Sequence, residues 1–285
     1  MNLANKGAAV TGAAAGIGRA LAVRLAAEGC RLALCDVDEA GLEETVRLVA
    51  AAGARVDGTL VDVGAADAVQ DWADRSVRDL GPIGVVVNNA GVVLSGAIES
   101  VTYTDLDWLM RINFWGVVHG TKAFLPHLKK AGEGCIVNMS SVFGLIGIPT
   151  QAPYSASKFA VRGFTEALAQ ELEIEGCRVR AVCVFPAAVR TDLVRSGRKA
   201  GTDVLGLGHD EVIAGFDRLA RLSPGRAARA IVDGIKRDRR RILVGADARV
   251  ADVIQRLFPS FYQRIIVRRA RRARRDRRTF QASRS

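Results

Sequence analysis

Cysteine, histidine and proline are scarce in this 285-residue chain, at 5, 3 and 7 residues. Cys30, Cys35, Cys135, Cys177 and Cys183 are too few and too scattered for a disulfide framework, and none forms the Cys-x-x-Cys spacing of a zinc or redox site. His119, His127 and His209 add no metal-ligand spacing, so no metal is expected. No apolar run approaches the ~20 residues that span a bilayer, and the N-terminus lacks the basic-then-apolar design of a secretory signal. The expectation is a soluble protein of a reducing, cytoplasmic compartment. What is present, 49% hydrophobic and 25% charged residues with 29 glycines, is the composition of an ordinary globular chain. One large domain is expected at this length.

The net charge is +11, and its position matters more than its size. From Arg264 to Ser285 there are ten Arg and one Asp, a charge of +9, which leaves +2 for residues 1–263. The body is nearly neutral and the basicity is a tail, so an argument for an anionic partner rests on that segment alone.

Short Val/Ile/Ala-rich runs recur at Ala8–Thr11, Arg31–Cys35, Arg55–Val61, Val85–Val87, Cys135–Met139, Val179–Phe185 and Ile242–Val244. Stretches with helical spacing lie between them, such as Arg19–Glu28, Glu39–Ala52 and Ala66–Leu80. Non-alternating apolar strands separated by helices predict a doubly wound α/β fold: a parallel seven-stranded sheet with helices on both faces. Thr191–Ser223, with Gly at 197, 201, 206, 208 and 215, breaks the alternation and reads as a lid insertion after the sixth strand. The expected organisation is one domain over 1–263, with its lid at about 191–223, and a basic tail over 264–285.

The segment Val10 to Leu21 runs from a strand through Gly12, Gly16 and Gly18 into a helix, with Ile17 between the last two glycines. Such glycines permit a tight turn and close backbone approach to a pyrophosphate, and the helix N-terminus offers free N–H groups to the anion. Packing alone also selects Gly/Ala-rich turns. The spacing Gly-x3-Gly-x-Gly differs from the common Gly-x-Gly-x-x-Gly fingerprint. Eighteen residues after Gly18, Asp36 ends the second strand, where a carboxylate hydrogen-bonds ribose hydroxyls and repels a 2′-phosphate. Neither Ala15 nor Val37 supplies a cation for that phosphate, so NAD is favoured over NADP. The bland alternative for Asp36 is a solvated acidic loop with Asp38 and Glu39.

Tyr154 and Lys158 are four residues apart and share one face of a helix. An adjacent ammonium favours the phenolate and lowers the tyrosine pKa from ~10 toward working pH, as a general acid/base requires. A Tyr-x-x-x-Lys pair alone is common by chance. Here it stands with the Gly-rich turn, with Asn88-Asn89-Ala90-Gly91 after the fourth strand, and with Ser141 placed 13 residues before the tyrosine. Ser140 competes with Ser141 if that spacing is ignored.

With Thr11-Gly12-x-x-x-Gly16-Ile17-Gly18, Asp62-Val63, Asn88-Asn89-Ala90-Gly91, Asn113, Ser141 and Tyr154-x-x-x-Lys158 in order over residues 5–245, the chain closely resembles the short-chain dehydrogenase/reductase family. The resemblance implies a Rossmann fold and hydride transfer between a nicotinamide and an alcohol or ketone. It implies that Tyr154 transfers the proton, Ser141 holds the substrate oxygen, Lys158 binds the nicotinamide ribose and lowers the Tyr154 pKa, and Asn113 holds a relay water. By the same resemblance Asp62 and Val63 contact the adenine, the Asn89-Ala90-Gly91 backbone lies along the adenosine ribose, and Val189 with Thr191 holds the carboxamide. One departure is Pro186-Ala187, where the family usually has Pro-Gly; a Cβ there is expected to shift the nicotinamide loop. For Asn113 the plainer alternative is a residue that caps or bends a helix. The resemblance also implies a homodimer or homotetramer, through helices at about 105–128 and 154–175.

The substrate is expected among Ser141, Tyr154, residues 94–97, residues 143–151 and the lid. Leu145, Ile146, Ile148, Leu193, Leu205, Leu207 and Phe216 make that surface apolar and point to a lipophilic alcohol or ketone. Near the C-terminus Val250, Val253, Ile254, Leu257 and Phe258 recur at helical spacing. Phe261, Tyr262, Ile265 and Ile266 follow, then eight Arg within 268–278. An amphipathic segment joined to a polybasic run reads as peripheral attachment to an anionic membrane, or as packing on the body with a solvated extension. No specific nucleic acid is expected. Two non-enzymatic readings remain: a dinucleotide-binding sensor or scaffold without turnover, and an adaptor attached through its tail. The intact Asn113, Ser141, Tyr154 and Lys158 set argues against the sensor, which needs only the cofactor half of the site.

Overall fold

The computed structural model describes residues 1–201 and 209–282. Its main sheet has seven parallel strands: β1 (Gly7–Thr11), β2 (Arg31–Asp36), β3 (Val56–Leu60), β4 (Ile83–Asn88), β6 (Gly134–Met139), β7 (Val179–Pro186) and β9 (Arg241–Val244). Their order across the sheet is β3-β2-β1-β4-β6-β7-β9. Every central strand is covered on both faces, which is why the runs read as continuous rather than alternating apolar sequence. The edge strand β3 is the exception, with Asp57, Gly58 and Leu60 exposed.

Alternate residues of each strand feed two separate cores. Ala8, Val10, Val85, Val87 and Val137 face α1 (Gly16–Ala27), α2 (Glu39–Ala51) and α8 (Pro224–Lys236), packing on Leu21, Leu25, Leu42 and Ile231. Ala9, Val86 and Ile136 face α3 (Ala66–Leu80), α5 (Gly116–Lys130) and α6 (Ala152–Ile174). There the fully buried Trp72 stands edge-on to Phe124 at 5.2 Å and 82°. Truncating Trp72 to alanine is expected to cost about 3–5 kcal/mol.

The strand order reverses between β1 and β4, so the loops leaving their carboxyl ends part and open a crevice. All candidate site residues line this end of the sheet or the helices flanking it. A second, two-stranded parallel sheet lies outside the sequence expectation: β5 (Leu94–Gly96) pairs with β8 (Arg198–Ala200), tying the start of the 191–223 segment to the loop after β4. The same segment continues as α7 (His209–Leu219). Leu205 and Leu207 of the expected lid surface lie outside the described residues.

The candidate active site

Between β1 and α1 the chain turns through Gly12 (φ +65°) and Gly16 (φ +57°), a backbone region that L side chains rarely adopt. The turn is also tight: a Cβ on Gly12 would stand 2.7 Å from Ala90 Cα, and one on Gly18 would collide with the Gly12 carbonyl. Ala15 precedes α1 and offers no capping side chain, so the first-turn N–H groups of the helix face the crevice without a side-chain acceptor.

The two turns that leave β1 and β4 are bonded to each other. Thr11 Oγ1 accepts from the backbone N–H groups of Asn89 and Ala90, each at 2.9 Å. Asn89 Nδ2 donates to the carbonyls of Thr11 (2.9 Å) and Gly12 (3.0 Å). Behind them Asn88 Nδ2 donates to Asn138 Oδ1 at 2.8 Å, and Asn138 Nδ2 to Thr165 Oγ1 at 3.0 Å. Sequence reasoning finds Asn88–Gly91 as a motif but misses the Thr11 hydroxyl as its anchor.

Asp36 is held at the rim of this cradle rather than swinging in solvent. Its Oδ2 accepts from Ala14 N at 2.8 Å, and its Oδ1 accepts from Val37 N at 2.7 Å and Asp38 N at 3.1 Å. Arg19, the cation of the same turn, donates to Thr45 Oγ1 (2.9 Å) and to the carbonyls of Gly41 (3.0 Å) and Ala14. Its guanidinium is thereby committed to neutral oxygens. Asp62 accepts from Gly64 N at 2.9 Å and pairs with Arg111 at 2.7 Å. Partial burial would raise its carboxyl pKa, but the Arg111 and Gly64 hydrogen bonds outweigh it and hold it below the usual range. Buried Val63 packs against Gly116 of α5, where a Cβ would stand 2.8 Å from Val63 Cγ2.

Tyr154, Lys158 and Ser141 converge deeper in the crevice. Tyr154 and Lys158 are both buried on α6, one turn apart, with Lys158 Nζ 5.7 Å from the tyrosine ring centroid. Lys158 Nζ donates to Met139 O at 3.0 Å. Ser141, at the end of β6, hydrogen-bonds Tyr154, while the Ser140 hydroxyl turns away and donates to the Lys158 carbonyl at 2.8 Å. Of the two serines, Ser141 adjoins the tyrosine and Ser140 anchors α6. Gly91 links the two halves of the crevice, since a Cβ there would lie 3.2 Å from Asn113 Oδ1 and 3.3 Å from Lys158 Nζ.

Asn113 sits in a π-helical widening, Arg111–Trp115, between α4 (Tyr103–Met110) and α5. Its Oδ1 accepts from Val92 N at 2.7 Å, and its Nδ2 donates to Val92 O at 2.9 Å and to Ser157 Oγ at 3.1 Å. Ser157 in turn donates to the Tyr154 carbonyl at 2.8 Å. Ser157 escapes a reading of the sequence, because nothing in Ala156-Ser157-Lys158 separates a buried serine from a solvated one.

Two expectations need correction. The spacing predicts that the lysine lowers the tyrosine pKa; instead burial pushes Tyr154 up to about 12, against the pull of the Ser141 hydrogen bond, and burial brings Lys158 down to about 8. Desolvation of the two groups sets the direction of both shifts in the protein itself. Leu145 does not line a substrate surface: it is 1% exposed and packs on Cys183 and Phe185 in the core. The apolar wall beside Tyr154 is made by Val93, Leu94, Leu109 and Ala200, with Phe143 edge-on to the tyrosine ring at 5.9 Å and Leu193 packed in the same cluster.

After β7, Ala187 N keeps a ladder-like bond to Val244 O at 3.0 Å, and its methyl faces Gly245, where a Cβ would stand 3.2 Å away. Val189 bridges to Leu222, and Thr191 arches over the first turn: a Cβ on Gly16 would lie 3.1 Å from Thr191 Cγ2. A narrow glycine cradle with a fixed carboxylate at its rim fits a dinucleotide.

This architecture defines a doubly wound nucleotide-binding oxidoreductase scaffold. The chain belongs to the short-chain dehydrogenase/reductase family: the model of the short chain dehydrogenase family matches residues 6–201. A Mycobacterium tuberculosis oxidoreductase named SadH is 44% identical over 264 residues, covering 92% of this chain and 94% of that protein. A ketoacyl reductase of Streptomyces coelicolor is 39% identical over 224 residues, 77% of this chain and 83% of its own. Among solved structures, a short-chain dehydrogenase/reductase from Burkholderia phymatum in complex with NAD superposes with a TM-score of 0.83 at 31% identity, covering 92% of this chain and 96% of that one.

Proposed function

We propose that the protein is an NAD-dependent dehydrogenase/reductase that interconverts a secondary alcohol and a ketone with an apolar flank. The observation that carries the reading is the convergence of Ser141, Tyr154 and Lys158 beside a glycine cradle whose only fixed charge at the end of β2 is the Asp36 carboxylate. NAD bound there supplies the hydride acceptor or donor. Gly12, Gly16, Ile17 and Gly18 give it a close backbone surface, and Asp36 receives ribose hydroxyls. Asp62 and Val63 border the adenine, the Asn89-Ala90-Gly91 backbone follows the ribose, and Pro186, Val189 and Thr191 close the nicotinamide end.

In the reduction direction Tyr154, neutral at physiological pH because burial pushes it to about 12, gives its hydroxyl proton to the substrate oxygen while Ser141 donates a hydrogen bond to the same oxygen. Lys158, brought to about 8, is protonated at neutral pH and stabilises the phenolate that Tyr154 leaves behind. Asn113 fixes the loop between β4 and β5 at Val92 and, through Ser157, the start of α6.

The apolar group around Tyr154, with the ketoacyl reductase relative, supports a lipophilic substrate. Residues 1–263 form the catalytic body, with 191–223 as its lid and 264–285 as an added segment; the pairing of β8 with β5 supports the lid assignment. Exposed Trp115 and Phe159 on the flanking helices support a homodimer or homotetramer. Turnover of a panel of alcohols and ketones with NAD and with NADP, read by absorbance of the reduced nicotinamide, tests the reading. Activity with NAD on medium-chain secondary alcohols or ketones is expected. A clear preference for NADP overturns the role given to Asp36, and cofactor binding without any turnover supports a sensor instead.

A further inference from the structure

The apolar C-terminal residues face outward. α9 (Ala246–Leu257) docks on the body through Ala248, Ala251 and Asp252, the last paired with Arg241 at 2.7 Å. That leaves Val250, Val253, Ile254 and Leu257 on the opposite face, between 37% and 65% exposed. Phe258, Phe261 and Ile265 extend the stripe at intervals of three or four residues into α10 (Phe261–Ala282), also exposed. A monomeric soluble surface rarely carries so many large apolar side chains in one row. Arg264, Arg268, Arg269, Arg271, Arg272 and Arg274 stand exposed on α10, and none pairs with a carboxylate among the described residues.

We propose that α9 and α10 together dock the protein on an anionic lipid bilayer, the stripe entering the acyl boundary and the arginines meeting the headgroups. Charge complementarity selects this occupant. A second copy of the chain would bring +9 against +9 at the basic segment, and a nucleic acid would leave the apolar row in water. Among the described residues no helix is long and apolar enough to cross a membrane, so the attachment lies in the interface.

The stripe also sits beside the substrate side of the crevice. Gly147 N donates to the Tyr262 hydroxyl at 3.3 Å, and α9 packs on the Val142–Gly144 turn whose Phe143 meets the Tyr154 ring. Docking therefore places the mouth of the site at the bilayer surface, a consequence that rests on the proposed alcohol/ketone chemistry. The attachment itself does not rest on it.

The test is flotation of the full chain with phosphatidylcholine vesicles, with and without about a third phosphatidylglycerol. Binding only to the anionic vesicles, weakened by high salt, is expected. Replacing Arg268, Arg269, Arg271 and Arg272 with Gln is expected to weaken it by at least about 10²-fold. Val253→Ser with Leu257→Ser and Phe261→Ser is expected to do the same. Circular dichroism and turnover of a water-soluble alcohol check that both variants fold. In case the serine variant unfolds, Phe258→Trp in the otherwise unchanged chain gives a second readout, the fluorescence of the introduced indole being quenched by brominated acyl chains. Failure to float, equal binding to neutral vesicles, full binding by the serine variant, dissociation of an oligomer on the serine substitutions, or an unquenched indole in the Phe258→Trp variant each overturns the proposal. Loss of turnover with flotation intact would instead count against the catalytic reading alone.

Discussion

The two ends of the crevice are held together by different means. At the cofactor end, hydrogen bonds of 2.8 to 3.1 Å run between backbone and short side chains: Thr11 with Asn89 and Ala90, Asp36 with Ala14 and Asp38. Gly12 and Gly18 sit where a Cβ would collide. At the substrate end a short β5/β8 backbone ladder is supplemented by long side chains at the surface: Arg195 with Asp217 at 2.6 Å, Arg198 with Asp105 at 3.1 Å and stacked on Trp108 at 3.9 Å. Exposed pairs of that kind contribute about 0–1 kcal/mol each. The first end is set by backbone geometry and admits few substitutions; the second can change residue by residue while the fold stays. A single scaffold therefore keeps its cofactor chemistry and varies its substrate.

The largest effect is expected where the two ends meet. Tyr154→Phe removes one hydroxyl and no packing, so kcat is expected to fall about 10²–10⁴-fold. NAD affinity measured by calorimetry should stay within about twofold. If instead affinity collapses with kcat, Tyr154 belongs to the cofactor end and the division drawn above fails.

Lys158 separates function from stability. Burial lowers its pKa from 10.5 to about 8, so folding opposes the ammonium. Below about pH 8 the lysine is charged in both states and the cost is fully present; it fades as pH rises from about 8 toward 10.5. The neighbouring Tyr154 and Cys183 are pushed up to about 12 and stay neutral in that window. The gross penalty is about 3 kcal/mol, offset by about 1 from the lost bond to Met139 O. Lys158→Met is thus expected to stabilise the protein without ligand by about 2 kcal/mol at pH 7 and to lose activity. In urea titrations the advantage over the parent should shrink between pH 8 and 10.5. A less stable variant at pH 7 would show that Lys158 holds the fold as well as the chemistry.

How far the sequence could be read follows the same division. The central strands of the main sheet are legible because each is buried on both faces and so is written as an unbroken apolar run, and the Tyr154/Lys158 pair because four residues make one helical turn. The β5/β8 sheet is not: three residues in each strand, Leu94-Ser95-Gly96 and Arg198-Lys199-Ala200, carry no periodicity, and their pairing is a long-range event. Leu145 is misread because a loop leucine looks the same whether it lines a cleft or plugs the core beside Phe185. The direction of the Tyr154 shift is misjudged for a related reason. Spacing shows that an ammonium is near but says nothing of how completely both groups are desolvated.

At the rim of the cradle the expected effect is moderate. Asp36→Asn removes the charge and keeps one acceptor oxygen, enough for the Val37 and Asp38 N–H groups or for the Ala14 N–H but not for both sides. The ratio of kcat/KM with NAD to that with NADP is expected to fall about tenfold, the scale of one partly solvated charge, with kcat for NAD little changed. An unchanged ratio would mean that the rim carboxylate is structural and that coenzyme choice lies elsewhere.

The smallest effect is expected at Ala187, where the family usually keeps glycine. Its methyl fits because Gly245 opposite it has no side chain, and its backbone N–H still reaches Val244 O. Ala187 is not among the residues at positive φ, so glycine is not needed for conformation. Ala187→Gly then mainly loosens the unfolded chain and should cost about 0.4–1 kcal/mol of stability, with KM for NAD and kcat within about twofold of the parent. An activity gain of about tenfold would mean that the Cβ does displace the nicotinamide loop. In that case the cofactor end tolerates strain in exchange for stability, and the contrast between a fixed end and a variable one would hold for β1 and β4 but not for β7.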